Sequence, residues 1–266
     1  MRLNLVPPRT GLAWAKLGVR IFFKQPLAMS GLFFLFMAVL SVVSLLPFIG
    51  SALALALLPA ATLGLMAATQ QAERGKFPMP TILATAFRAG HQRARAMMVL
   101  GAFYAAGFLL LLGISTLFDG GDFAQMYLFG SKITPELVNR AEFQTALWVA
   151  MLLYLPLSLM FWHAPALVHW HGVSPVKSMF FSFWACWKNF GAFAVFGLVW
   201  VAILLVVGLA VTLLATLLGS PEFAAVAMFP TVLVLVSMFF SSLYFTFRDS
   251  FAVDEEPAPT AVDELA

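Results

Sequence analysis

Five stretches of this chain contain no Lys, Arg, Asp or Glu: residues 25–72, 96–118, 143–176, 189–221 and 223–247. About 20 apolar residues cross a bilayer as a helix. Each stretch is therefore long enough for one crossing and the first for two, with Pro47 and Gly50 placed at its middle for a tight turn. The six spans predicted are about 26–46, 50–71, 96–118, 143–165, 190–218 and 224–247. Composition points the same way. Of the 266 residues, 62% are hydrophobic and 10% charged, against roughly 25% charged in soluble domains. A water-soluble fold of this size has too much surface to hide so much apolar material. The class is all-α and polytopic, with lipid as the main solvent.

The charges crowd between the runs, and their sides are unequal. The gaps expected on the side of the termini hold thirteen Lys and Arg, and the opposite side holds two, Lys132 and Arg140. That bias puts both termini in the cytoplasm and the 119–142 loop outside. A cleaved signal peptide is not expected: 24 residues with five basic groups precede the first span, which is longer than an n-region.

Three segments precede pairs of spans: "TGLAWAKLGVRIFFKQPLAM" (10–29), "PTILATAFRAGHQRARAMM" (80–98) and "SPVKSMFFSFWACWKNFGAF" (174–193). Each carries a polar stripe at helical spacing, with Thr10, Pro80 and Pro175 as starts. Such helices lie flat in the membrane interface. The expected interface residues are Lys16, Arg20, Lys24, Arg88, Arg93, Arg95, Lys177 and Lys188, with Trp14, Trp184 and Trp187. Each basic group near the surface attracts anionic lipid by about 1 kcal/mol. The implied partners are anionic headgroups and a partner protein, not nucleic acid.

The second span of each pair carries a proline near its outer end: Pro59, Pro156 and Pro230. A threefold repeat of helix plus hairpin is the corresponding expectation, over 9–75, 79–165 and 174–248, within one integral domain covering 1–248. The remainder, 249–266, is acidic and rich in proline and is expected to be disordered. In the outer loop, "DGGD" (119–122) is a turn, and "FAQMYLF" (123–129) rests on the membrane or plugs the bundle. Thr134, Pro135 and Glu136 open a helix expected to run on into the fourth span.

Chemistry is sparse. Three of the four histidines fall in "HAPALVHWHG" (163–172), and His91 lies at the same membrane level. At about 100° per residue, His163 and His169 stand about 120° apart and His169 and His171 about 200° apart. Metal pairs on a helix sit three or four residues apart. His91, His163, His169 and His171 are thus weak metal candidates, better read as part of the amphipathic belt at the membrane edge. Cys186 alone cannot form an internal disulfide. The spans hold no Asp, Glu, Lys or Arg, the groups expected of ion-coupled transporters and intramembrane enzymes. No cofactor or enzymatic activity is expected.

Two functions remain. One is an organiser of lipid or of a partner protein at the cytoplasmic face. The other is a carrier or flippase for a lipid-like amphiphile, in which Ser41, Ser44, Thr116, Ser158, Thr212, Ser241 and Ser242 would line a cavity. If those hydroxyls bond their own helices instead, the organiser gains.

The block "VPPRTGLAWAKLGVRIFFKQPLAM…LLPFIGSALALALLPAATLGLMAATQQAERGK" (6–76) resembles a family of uncharacterised proteobacterial inner-membrane proteins with about six spans, covered by domains of unknown function. The resemblance extends over most of the chain and implies a bacterial inner-membrane location. The block "APALVHWHGVSPVKSMFFSFWACWKNF" (164–190) is loosely similar to the membrane domain attached to some glycerophosphodiester phosphodiesterases. Neither resemblance implies catalytic residues here.

Overall fold

The computed structural model describes residues 2–252. The chain starts with a two-residue strand, β1 (Arg2–Leu3), followed by α1 (Thr10–Lys24), α2 (Pro26–Ser44) and α3 (Gly50–Glu73). A 3-10 turn at Pro80–Ala84 leads into α4 (Thr85–Arg88) and α5 (His91–Asp119). Next come α6 (Asp122–Phe129), α7 (Pro135–Val138), α8 (Ala141–Trp162), α9 (Ala164–His171) and α10 (Pro175–Lys188). The chain closes with α11 (Phe190–Leu217), α12 (Pro221–Ser250) and β2 (Phe251–Ala252). Among the described residues six helices are long and apolar enough to cross a membrane: α2, α3, α5, α8 continued by α9, α11 and α12. These match the six charge-free spans.

The hairpin turns follow local chemistry. Between α2 and α3, Phe48 adopts φ 67° and Gly50 lies against the carbonyls of Val43 and Ser44, where any side chain would collide. Between α5 and α6, Gly120 and Gly121 take φ 68° and 104°. There the Asp119 carboxylate accepts from the backbone N–H of Gly121 at 2.8 Å and of Phe123 at 2.7 Å, which starts α6.

The central helix is α3, which packs on α2, α5, α9 and α12. Small residues set the closest approaches. Gly101 of α5 meets the Ala56 carbonyl of α3, and Gly64 of α3 meets the backbone of Leu83 in the 3-10 turn. Close backbone contact of this kind is the usual basis of helix association in lipid.

The two ends of the described segment lie on one face, called here the terminal face. Arg2 pairs with Ala252 and Leu3 with Phe251 in a short antiparallel ladder. The Asn4 backbone N–H extends it, donating to the Ser250 carbonyl at 2.9 Å. Asn189 ties in the α10–α11 junction: its Oδ1 accepts from Val6 N–H and its Nδ2 donates to the Asn4 carbonyl. Asp249 and Ser250, placed in the acidic tail by sequence, belong to α12, and Phe251–Ala252 to β2. The rest of the expected disordered segment lies outside the described residues.

Three other expectations change. The middle amphipathic segment is not one helix. It breaks at Gly90, with φ 94°, and places Arg93 and Arg95 on the extended end of α5. The α7 helix stops at Val138 and does not run into α8, although Thr134 caps it as expected, accepting from Leu137 N–H at 3.3 Å. The prolines do not share a depth: Pro59 and Pro230 lie nine residues into α3 and α12, but Pro156 lies fifteen into α8. The prolines therefore do not mark one common position in the three helix pairs.

Candidate functional site

The first candidate surface is the terminal face. Lys16, Arg20 and Lys24 are exposed on α1, Arg88 on α4, Arg93 and Arg95 on α5, and Lys177 and Lys188 on α10. The two long amphipathic helices there bury opposite kinds of surface. In α1 the apolar stripe Gly11, Trp14, Ala15, Gly18, Ile21 and Phe22 is buried against α11 and α12. Gly11 meets Ala192 and Phe196, and Gly18 meets Ser242. Trp14 is fully buried, and its indole N–H donates to the Asp249 carboxylate at 2.9 Å. It does not face the headgroup region, because its aromatic neighbours Phe193 and Phe196 come from the protein itself.

In α10 the small residues Ser178, Ser182, Ala185 and Cys186 are buried. Phe180, Trp184 and Trp187 are turned outward, each more than two-fifths exposed. Phe180 stacks on Trp184, and Lys188 sits 4.9 Å over the Trp184 ring. This is an aromatic ridge with basic groups along it, the composition of a membrane-interface anchor. Cys186 lies inside, its Sγ 3.9 Å from the Leu159 carbonyl, and burial raises its thiol pKa well above the ordinary value.

The histidines are split up. His91 is exposed, whereas His163 is fully buried among the rings of Phe193, Phe247 and Phe251. His163 is thus not at a wet membrane edge. Its backbone N–H donates to Ser182 Oγ at 2.8 Å, which in turn donates to the Leu159 carbonyl, fixing the corner between α8 and α9. Pro165 at the start of α9 suits that corner. The α9 helix then tucks beneath the bundle against α3, α5 and α8, with His169 beside Trp170 and His171 beside Phe247. Among the described residues no three His, Cys, Asp or Glu side chains gather into a metal-binding set.

The second candidate is a cavity, but not the hydroxyl-lined one expected of a carrier. A cavity of about 620 Å³ lies among α3, α5, α6, α8, α9 and α12. Its walls are Leu58, Pro59, Phe108, Leu111, Phe161, Phe239, Phe240 and Leu243, with Phe123 and Tyr127 of α6 closing it from the hairpin side. None of its lining residues is charged. Tyr104, Tyr127 and Tyr154, three of the chain's four tyrosines, converge there. Phe108 lies 4.9 Å from Tyr127 and 6.0 Å from Tyr154, and Tyr104 meets Phe161 edge-on at 5.0 Å. All three tyrosines border the same cavity. Burial raises the pKa of Tyr127, so the group stays a neutral phenol.

The cavity opens sideways. Met151 is 52% exposed and Tyr154 41%, both near the middle of α8. An opening at that height faces the hydrocarbon of a bilayer rather than water. Toward the terminal face the cleft is shut: Trp162 Nε1 donates to Thr246 Oγ1 at 3.0 Å and ties α8 to α12. Pro165 of α9 supplies the adjoining floor. The volume falls within the usual range of small-molecule sites, about 300–1,000 Å³.

The hydroxyls named for a carrier do not form a polar track. Ser44, Thr116, Ser158, Thr212, Ser241 and Ser242 each donate to a carbonyl three or four residues back in their own helix. Of these only Ser158 borders the cavity.

These features define a multi-pass α-helical membrane protein with an apolar cleft open to its side. Over 263 residues, 97% of both chains, it is 38% identical to a "Probable inner membrane protein" of Burkholderia thailandensis. The chain belongs to that family of inner-membrane proteins. No family model matches it, and no solved structure does. The looser likeness to the phosphodiesterase-linked membrane domain is therefore not carried further.

Proposed function

We propose that this protein organises lipid in the inner membrane without chemical turnover. It holds an apolar chain in the α8–α12 cleft while the basic and aromatic side chains of its terminal face engage anionic headgroups on the cytoplasmic side. The observation that carries this reading is the uncharged cavity of about 620 Å³ opening midway along α8. Aromatic walls suit an acyl or prenyl chain, because burying them against hydrocarbon costs no polar desolvation. The outward ridge of Phe180, Trp184 and Trp187, flanked by Lys177 and Lys188, suits a helix seated at the headgroup boundary. The hydroxyls that bond their own helices favour holding over carrying, since a headgroup crossing the bilayer needs polar partners along its way.

The test is native mass spectrometry of the protein released from membrane-derived nanodiscs. One lipid retained per chain is the expected result, and Met151→Trp, which fills the mouth of the cleft, should release it. Loss of all lipid from the unmodified protein, or retention unchanged in the Met151→Trp variant, would refute the reading.

A further inference from the structure

We infer that the cleft selects a lipid whose polar group is neutral and accepts hydrogen bonds, a quinone or ester carbonyl on an apolar chain, and that Tyr104 and Tyr154 bind that carbonyl. This rests on the lipid-binding reading above and narrows it.

Depth supplies the first argument. Tyr104 lies thirteen residues into the 29-residue α5, and Tyr154 thirteen into the 22-residue α8. Both phenols thus sit near the middle of their spans. An anionic headgroup drawn to that depth would lose its hydration and meet no cation, because the cleft is uncharged and the basic groups of the interface set are exposed on the terminal face. A carbonyl is cheaper to desolvate and needs only a donor.

Donor bookkeeping supplies the second. Tyr104 and Tyr154 each bring one O–H donor to a lining that is otherwise mostly apolar. In hydrocarbon an unpaired donor is costly. A bound carbonyl accepts from such a donor, while the apolar chain runs along Phe161, Phe239 and Phe240. The recognition is therefore by hydrogen bond and shape, with no charge on either side. A quinone and an acylglycerol both carry this chemistry.

Binding to protein in phosphatidylcholine nanodiscs tests it, with three probes: a decyl-tailed benzoquinone, dioleoylglycerol and phosphatidylglycerol. At least one neutral probe should bind at one per chain, and phosphatidylglycerol should not compete. Tyr104→Phe/Tyr154→Phe, which keeps both rings, should weaken the neutral probe about tenfold, the loss of one buried hydrogen bond. Tyr154→Phe alone, at the exposed mouth, repeats the test if the double variant is unstable. Preference for the benzoquinone identifies a quinone carbonyl, and preference for the diacylglycerol an ester. Equal binding of phosphatidylglycerol, or unchanged affinity in the Tyr→Phe variants, overturns the carbonyl inference but leaves lipid binding intact. Failure of every probe, together with no retained lipid, defeats both.

Discussion

Trp14 joins α1 to the end of α12 through a single side chain. Its ring fills a fully buried site beside Phe193 and Phe196, and its N–H reaches Asp249, which also accepts from Arg248 Nε at 2.8 Å. Hydrogen bonds to charged groups contribute about 1.5–3 kcal/mol. Trp14→Phe should therefore cost stability of about that size, read as a lowered thermal midpoint in detergent. A double-mutant cycle with Asp249→Ala should show coupling, and strictly additive losses would count against the bond. Cys186 gives a second residue-scale expectation. Its buried, high-pKa thiol should resist a water-soluble maleimide in the folded protein and react on unfolding. Rapid labelling in the folded state would contradict this placement. Sequence could not place Trp14, because an amphipathic stripe fits a membrane interface and a protein groove equally well. What decides is that Gly11 and Gly18 let α1 come into contact with α11 and α12.

At the scale of elements, the contact between α3 and α5 depends on Gly101, where a side chain would overlap the Ala56 carbonyl. Gly101→Leu should push these helices apart, destabilise the fold by several kcal/mol and abolish the cleft they border. Size-exclusion chromatography and thermal melting would check it, and an unchanged melting midpoint would contradict it. All six spans, the turn at 119–122 and the cap at Thr134 were legible in the sequence, because charge-free length, turn residues and capping are local signals. The cleft was not. Tyr104, Tyr127 and Tyr154 come from three separate helices, and only their packing brings them together. One signal was present: two tyrosines stand at the centre of apolar spans, where a hydroxyl needs a reason to be. The α10 helix teaches the complementary lesson. Its polar stripe read as the wet side, yet Ser178 and Ser182 are buried because their hydroxyls bond backbone carbonyls.

For the whole molecule, the unequal distribution of Lys and Arg predicts which face meets the cytoplasm. In a Cys186→Ser background, Lys132→Cys should be labelled by an impermeant maleimide from outside the inner membrane, and Lys16→Cys only after permeabilisation. The reverse pattern would invert the topology and move the basic ridge of α10 to the other leaflet. The terminal face is held by the β1–β2 ladder, the Trp14–Asp249 bond and the pairing of Arg248 with Glu73 at 2.6 Å. The cleft lies between this clamp and the α6 plug. The central claim is that lipid enters there. Photo-crosslinking in native membranes with a fatty acid carrying a diazirine near its chain end, followed by peptide mapping, tests this most directly. The account predicts adducts concentrated around Met151–Tyr154 and Phe239–Phe240 and abolished by Met151→Trp. Labelling spread along the lipid-facing side of α11, at residues such as Leu205 and Leu209, with none in the cleft, would contradict it.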